Sequence, residues 1–179
     1  MPQLAYTCFI EFAERAIINK LVAIVEKPNR VDIKTINNLS IMKNINCLRY
    51  MEGYSYAGTN SGLYYLTSKN GNWVPVTGDI GANTVHCLGQ MSGGQYAGTS
   101  NGLYYLHTGS MNWLPVHGVL GNRSVNCMME INGTAYAGTS DGLFFLSGDG
   151  NWVPVGSKVI GSKDVTCLME ADGYIYAGT

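Results

Sequence analysis

Four cysteines, Cys47, Cys87, Cys127 and Cys167, stand 40 residues apart, each two positions after a β-branched residue: Ile45, Val85, Val125 or Val165. Cysteine can ligate metal, pair in a disulfide or fill a core. Metal sites favour close pairs such as Cys-x-x-Cys, and the chain has none among its five cysteines. A disulfide between equivalent points of stacked sheets would have to span about 10 Å, whereas the Cα atoms of a bridged pair lie within about 7 Å. The series therefore reads as a ladder of small buried apolar side chains. Five thiols with Cys8 left over fit a reducing compartment.

Other side chains with chemical potential are scattered. His86, His107 and His117 occupy different repeat positions. His86 replaces Asn46, Asn126 and Thr166, and reads as a residue lining a wet channel rather than a metal ligand. Glu130 and Glu170 recur where earlier copies carry Tyr50 and Gln90, while Asp141 and Asp149 fall in turns, where aspartate bonds the local backbone. A glycosidase needs two carboxylates flanking one bond, and recognition of an acidic sugar calls for clustered arginines. The repeats offer only Arg49 and Arg123. No catalytic residue, metal or cofactor is assigned, and enzymatic activity is not expected.

The elements that position these residues follow from a second series. Tyr-Ala-Gly-Thr begins at Tyr56, Tyr96, Tyr136 and Tyr176, again 40 residues apart. A fixed period of this length marks one supersecondary unit built several times. The copy from Ser124 to Val155 divides into four short apolar runs broken at Asn132-Gly133, Asp141-Gly142 and Asp149-Gly150. Such pairs supply the positive backbone angles of tight hairpins, so each copy predicts a four-stranded antiparallel meander. Leu63-Tyr64-Tyr65-Leu66 and Leu143-Phe144-Phe145-Leu146 are apolar throughout. A sheet wet on one side would alternate; here both faces want cover, and a neighbouring sheet supplies it. Ala57-Gly58, Ala97-Gly98 and Ala137-Gly138 allow close approach. The expected fold is all-β: a β-propeller of four-stranded blades. Trp73, Trp113 and Trp152 open the fourth strand, and Pro75, Pro115 and Pro154 place that strand at a sheet edge. The strongly repeated aromatics read as packing. The variable loops 67–72, 107–112 and 147–151 are the better binding surfaces. With the channel position they give the candidates Lys69, Asn70, His86, His107, Ser110 and Asp149.

Residues 1–44 lack this signature and form a separate segment before the propeller repeats at 45–179. Ile10, Ala13, Ile17, Leu21 and Ile24 fall at helical spacing, which predicts an amphipathic helix over 9–26. The rival is a decayed blade, in which two strands from 20–34 complete the last, two-stranded repeat. Without them the chain is an open arc, a partner for a second copy, or a piece of a longer propeller. Net charge is −1, which offers no attraction to nucleic acid. No apolar run reaches the length of a membrane-spanning helix, and the first residues lack a basic head, so no secretory signal is read and a cytoplasmic location is expected.

The repeat resembles the BNR/Asp-box type of β-propeller, through Tyr-Ala-Gly-Thr-Ser-Asn-Gly-Leu-Tyr (Tyr96 to Tyr104), Trp-x-Pro-Val and Ser-Val-Asn-Cys-Met. Its Gly-Thr-x-x-Gly-Leu core is also similar to sensor propellers of two-component regulators. The Asp-box itself keeps only its tryptophan in all three copies, with Asp149 and Gly150 approximating the rest once. The resemblance implies a non-enzymatic binding or scaffold module that presents blade-edge loops to a protein or glycan partner. The alternatives are a fragment of a sialidase or xyloglucan-cleaving hydrolase and the sensor domain of a signalling protein.

Overall fold

The computed structural model describes residues 44–67, 72–107, 110–156 and 158–179. The expected helix at 9–26, the rival decayed blade, Cys8, Lys69 and Asn70 lie outside the described residues.

Among the described residues, all regular structure is strand, as the turn spacing requires. The first sheet is β1 (Ile45–Met51), β2 (Tyr54–Thr59), β3 (Gly62–Leu66) and β4 (Trp73–Pro75). The second is β5 (Val85–Met91), β6 (Gly94–Thr99), β7 (Gly102–Leu106) and β8 (Trp113–Pro115). The third is β9 (Val125–Ile131), β10 (Thr134–Thr139), β11 (Gly142–Leu146) and β12 (Trp152–Pro154), and β13 (Cys167–Ala171) pairs with β14 (Tyr174–Gly178). Each sheet is an antiparallel meander in chain order, with the proline-bearing strand at its edge.

Local chemistry sets each turn. The first hairpin of every blade carries positive φ at both central residues, for example Asn132 at 51° and Gly133 at 76°. A type I′ turn needs this pair of angles, and its twist matches the flanking strands. At the second turn the threonine of Tyr-Ala-Gly-Thr takes over. Thr99 Oγ1 donates to the Gly102 carbonyl at 2.8 Å and accepts from the Asn101 N–H at 3.1 Å, and Thr59 and Thr139 repeat the arrangement. The hydroxyl is fully paired inside the fold, which a buried polar group requires.

The sheets stack through their inner strands: β1 packs on β5, β5 on β9, and β9 on β13. At each junction the cysteine of one blade lies over its own glycine and against the valine of the next. A Cβ on Gly98 would stand 2.5 Å from Cys87 Sγ and 2.8 Å from Val125 Cγ1; Gly58 and Gly138 are equally confined. Val85, Val125 and Val165 are completely buried. The core is thus divided among the junctions rather than held in one centre.

Candidate functional site: a groove at the second blade junction

The first junction is filled. Tyr56 is completely buried, with the Trp113 indole edge-on at 5.6 Å and 79°. Its hydroxyl points to Met111 Sδ at 3.8 Å. Tyr54 packs edge-on against Tyr56 at 6.5 Å and Tyr65 at 6.1 Å. These side chains come from two blades.

The second junction repeats the frame without two of these groups. Gly94 stands where the first blade has Tyr54, and Gly150, two residues before Trp152, stands where Met111 precedes Trp113. Between these blades lies a groove of about 630 Å³, lined by Asp79, Tyr96, Tyr105, Leu114, Pro115, Val116, His117, Leu146, Gly150 and Trp152. The Tyr96 ring lies across Gly94, whose missing Cβ would come within 2.9 Å of it. Burial pushes the Tyr96 hydroxyl above its ordinary range. Asp79 and His117 are exposed, Tyr96 and Tyr105 half-buried, and Trp152 buried, so the groove has an aromatic floor and a polar rim. A smaller recess of about 400 Å³ lies at the third junction, between Tyr136, Phe145, Val155 and Ile175.

The expected site residues do not converge on one place. His86 occupies a β-bulge: Val85 pairs with Thr99 and Cys87 with Gly98, which leaves residue 86 as the extra one. A bulge re-aims the side chain it carries. At the equivalent bulges, Asn46 Nδ2 donates to the Val85 carbonyl at 2.9 Å and Asn126 Nδ2 to the Val165 carbonyl at 3.1 Å, bolting each blade to the next. His86 makes no such bond; its Nε2 is enclosed without a partner, and burial lowers its pKa below the ordinary 6.5. His107 is exposed at the end of β7, and its carbonyl accepts from the Ser110 N–H and Oγ, both at 3.1 Å. Asp149 caps its own turn, accepting from Ser147 Oγ, from the Asn151 N–H at 3.3 Å and from Asn151 Nδ2 at 3.0 Å. These bonds, Ser147 first, hold its carboxyl below the usual range.

The other carboxylates have local partners. Glu130 accepts from the Ser92 N–H of the preceding blade, and Glu170 from the Gly173 N–H at 3.2 Å. Asp141 pairs with Arg123 at 3.0 Å, whose guanidinium lies 5.3 Å over the Phe144 ring. No three metal-ligating side chains converge among the described residues. The groove set of Tyr96, Tyr105, Trp152, Asp79 and His117 was not singled out by sequence. Its signal was present as two breaks in the repeat, at Gly94 and Gly150.

A stack of four-stranded antiparallel blades defines a propeller-like fold. The chain is similar to solved extracellular domains of two B. thetaiotaomicron signalling systems. One is BT4673, described as a one-component system, at 19% identity and TM-score 0.62 over 75% of this chain and 20% of that one. The other is the hybrid two-component system BT3049, at 16% identity and TM-score 0.61 over 75% and 19%. It is also similar to the computationally designed Ika4 protein, at 15% identity and TM-score 0.54 over 76% of this chain and 86% of that one. The chain thus spans about a fifth of the length of the signalling domains it matches. No protein-family model and no curated protein matches it.

These matches correct the cytoplasmic expectation, because the signalling structures are extracellular domains. The cysteines had argued the other way, on their number. For two of them the surroundings weaken that argument: burial pushes the Cys47 thiol up to about 12 and the Cys87 thiol well above 9.0. A thiol held protonated is a poor nucleophile and needs no reducing compartment to stay intact.

Proposed function

We propose that the repeats at 45–179 form a non-enzymatic binding module of an extracellular or periplasmic sensor, which holds a protein or glycan ligand at its blade edges. The carrying observation is the groove at the second junction, where the repeat frame is kept and Gly150 replaces the Met111 that meets Tyr56 across the first. The sensor reading is favoured by the shared fold of the signalling-system domains. A kinship with Asp-box propellers is supported by the Ser147–Trp152 turn, whose aspartate bonds the serine and asparagine around it.

The glycan-hydrolase alternative is disfavoured by the turn-capping roles of Glu130, Glu170 and Asp149. The test is to incubate the chain with soluble polysaccharides and oligosaccharides, following both its melting temperature and the release of reducing ends. Stabilisation without release supports a binding module. Release of reducing ends would replace it with a hydrolase.

A further inference from the structure

The groove has chemistry that selects among ligands, and this inference rests on the binding-module reading above. Its floor presents the rings of Tyr96, Tyr105 and Trp152, and its rim carries Asp79 and His117. Its volume of about 630 Å³ falls within the roughly 300–1,000 Å³ of small-molecule sites. Aromatic faces favour flat ligand surfaces with polarised C–H bonds, and their polar tips then reach hydrogen-bonding groups. Among the described residues neither lysine nor arginine lines the groove, while the Asp79 carboxylate does. An anionic ligand would meet like charge with no compensating cation.

The first junction shows what the groove would be without this purpose in its sequence. There, Met111 stands at the place of Gly150, and the Tyr56 hydroxyl and the Trp113 ring close on each other's blade. We propose that the second junction is a binding site for neutral saccharide, with Tyr105 as the stacking surface, Trp152 buried beneath the floor, and Asp79 and His117 as partners for sugar hydroxyls.

The test is titration of the full chain with cellohexaose, xylohexaose and maltohexaose, with 3′-sialyllactose as the anionic control, following tryptophan fluorescence and melting temperature. The same titrations are made on Tyr105→Ala and Gly94→Tyr. The second variant sets a side chain against the Tyr96 ring that lines the groove, and Tyr54 and Tyr174 already occupy this repeat position in folded strands. Binding of at least one neutral hexasaccharide, weakened about tenfold or more in either folded variant, is expected. Tyr54→Ala should leave it unchanged. Neutral binding that both variants retain would overturn the groove assignment while leaving the binding-module reading in place. Absence of binding by all three neutral probes, or tighter binding of sialyllactose, would overturn the saccharide assignment.

Discussion

The first and second blade junctions are made from the same repeat and end as different objects. In the first, Tyr54, Tyr56, Tyr65, Met111 and Trp113 close the space between two sheets. In the second, Gly150 stands in place of Met111, and Tyr96, Tyr105 and Trp152 line a groove. The bolts that hold the sheets together are retained at both: the cysteine over its glycine, and the valine of the next blade against it. The difference teaches that stability and recognition occupy separate layers of the blade. The inner strands carry the frame, and the outer part of the junction is where side chains can be removed.

The largest effect is expected at the closed junction. Trp113 is 1% exposed and covers Tyr56, so Trp113→Ala should destabilise the fold by about 3–5 kcal/mol through loss of burial and a cavity. Chemical denaturation measures it; an unchanged midpoint would remove Trp113 from the core. Next comes the frame shared by both junctions. Gly98→Ala places a Cβ 2.5 Å from Cys87 Sγ, and overpacking of this kind costs about 1–3 kcal/mol. Adding Cys87→Ala should recover part of the loss, as expected for residues in contact. Purely additive losses would show that the sulfur is not the obstacle.

How legible this was differs by layer. The strands, the hairpins and the edge position of the prolines follow from the 40-residue period and its Asn-Gly and Asp-Gly breaks, because those signals are local. Cys47, Cys87 and Cys127 as apolar filler were also legible, since their spacing excluded close-pair metal ligation. The groove was not, because its lining residues, Tyr96 and Gly150 among them, come from two blades and share a site only when those blades stack. Gly94 or Gly150 alone looks like ordinary turn or strand drift. His86 was read from its repeat position as lining a channel. The bulge that places it beside the next blade is invisible to a two-residue alternation, because a bulge adds one residue to the count.

That bulge supplies a smaller prediction. Asn46 and Asn126 make the inter-blade bond that His86 lacks, so His86→Asn should stabilise the chain by about 0.5–1.5 kcal/mol. The folded state lowers the histidine pKa, so the unfolded chain binds the proton more readily. Wild type should therefore lose stability as pH falls through 6.5, and His86→Asn should lose less over the same range. Parallel pH profiles for the two proteins would contradict the enclosed histidine.

The smallest effect is expected at Asp149, whose bonds are all within an exposed turn. Asp149→Ala should lower the melting temperature slightly and leave oligosaccharide binding unaltered. Its carboxyl titrates below 3.8 in the fold, so its contribution is present above that pH and lost as acidification passes the folded value. A loss of binding in this variant would show that the capped turn, which brings Gly150 to the groove, shapes the recognition surface.

The contrast between junctions is tested most directly by measuring unfolding free energies of Trp113→Ala and Trp152→Ala side by side. Trp113 closes a filled interface, whereas Trp152 borders a groove that is already open. The loss at Trp113 should exceed that at Trp152 by more than about 1 kcal/mol, because a new cavity forms only where none exists. Equal losses, or a larger one at Trp152, would mean that the two junctions are packed alike and that the groove is not a distinct feature of the second.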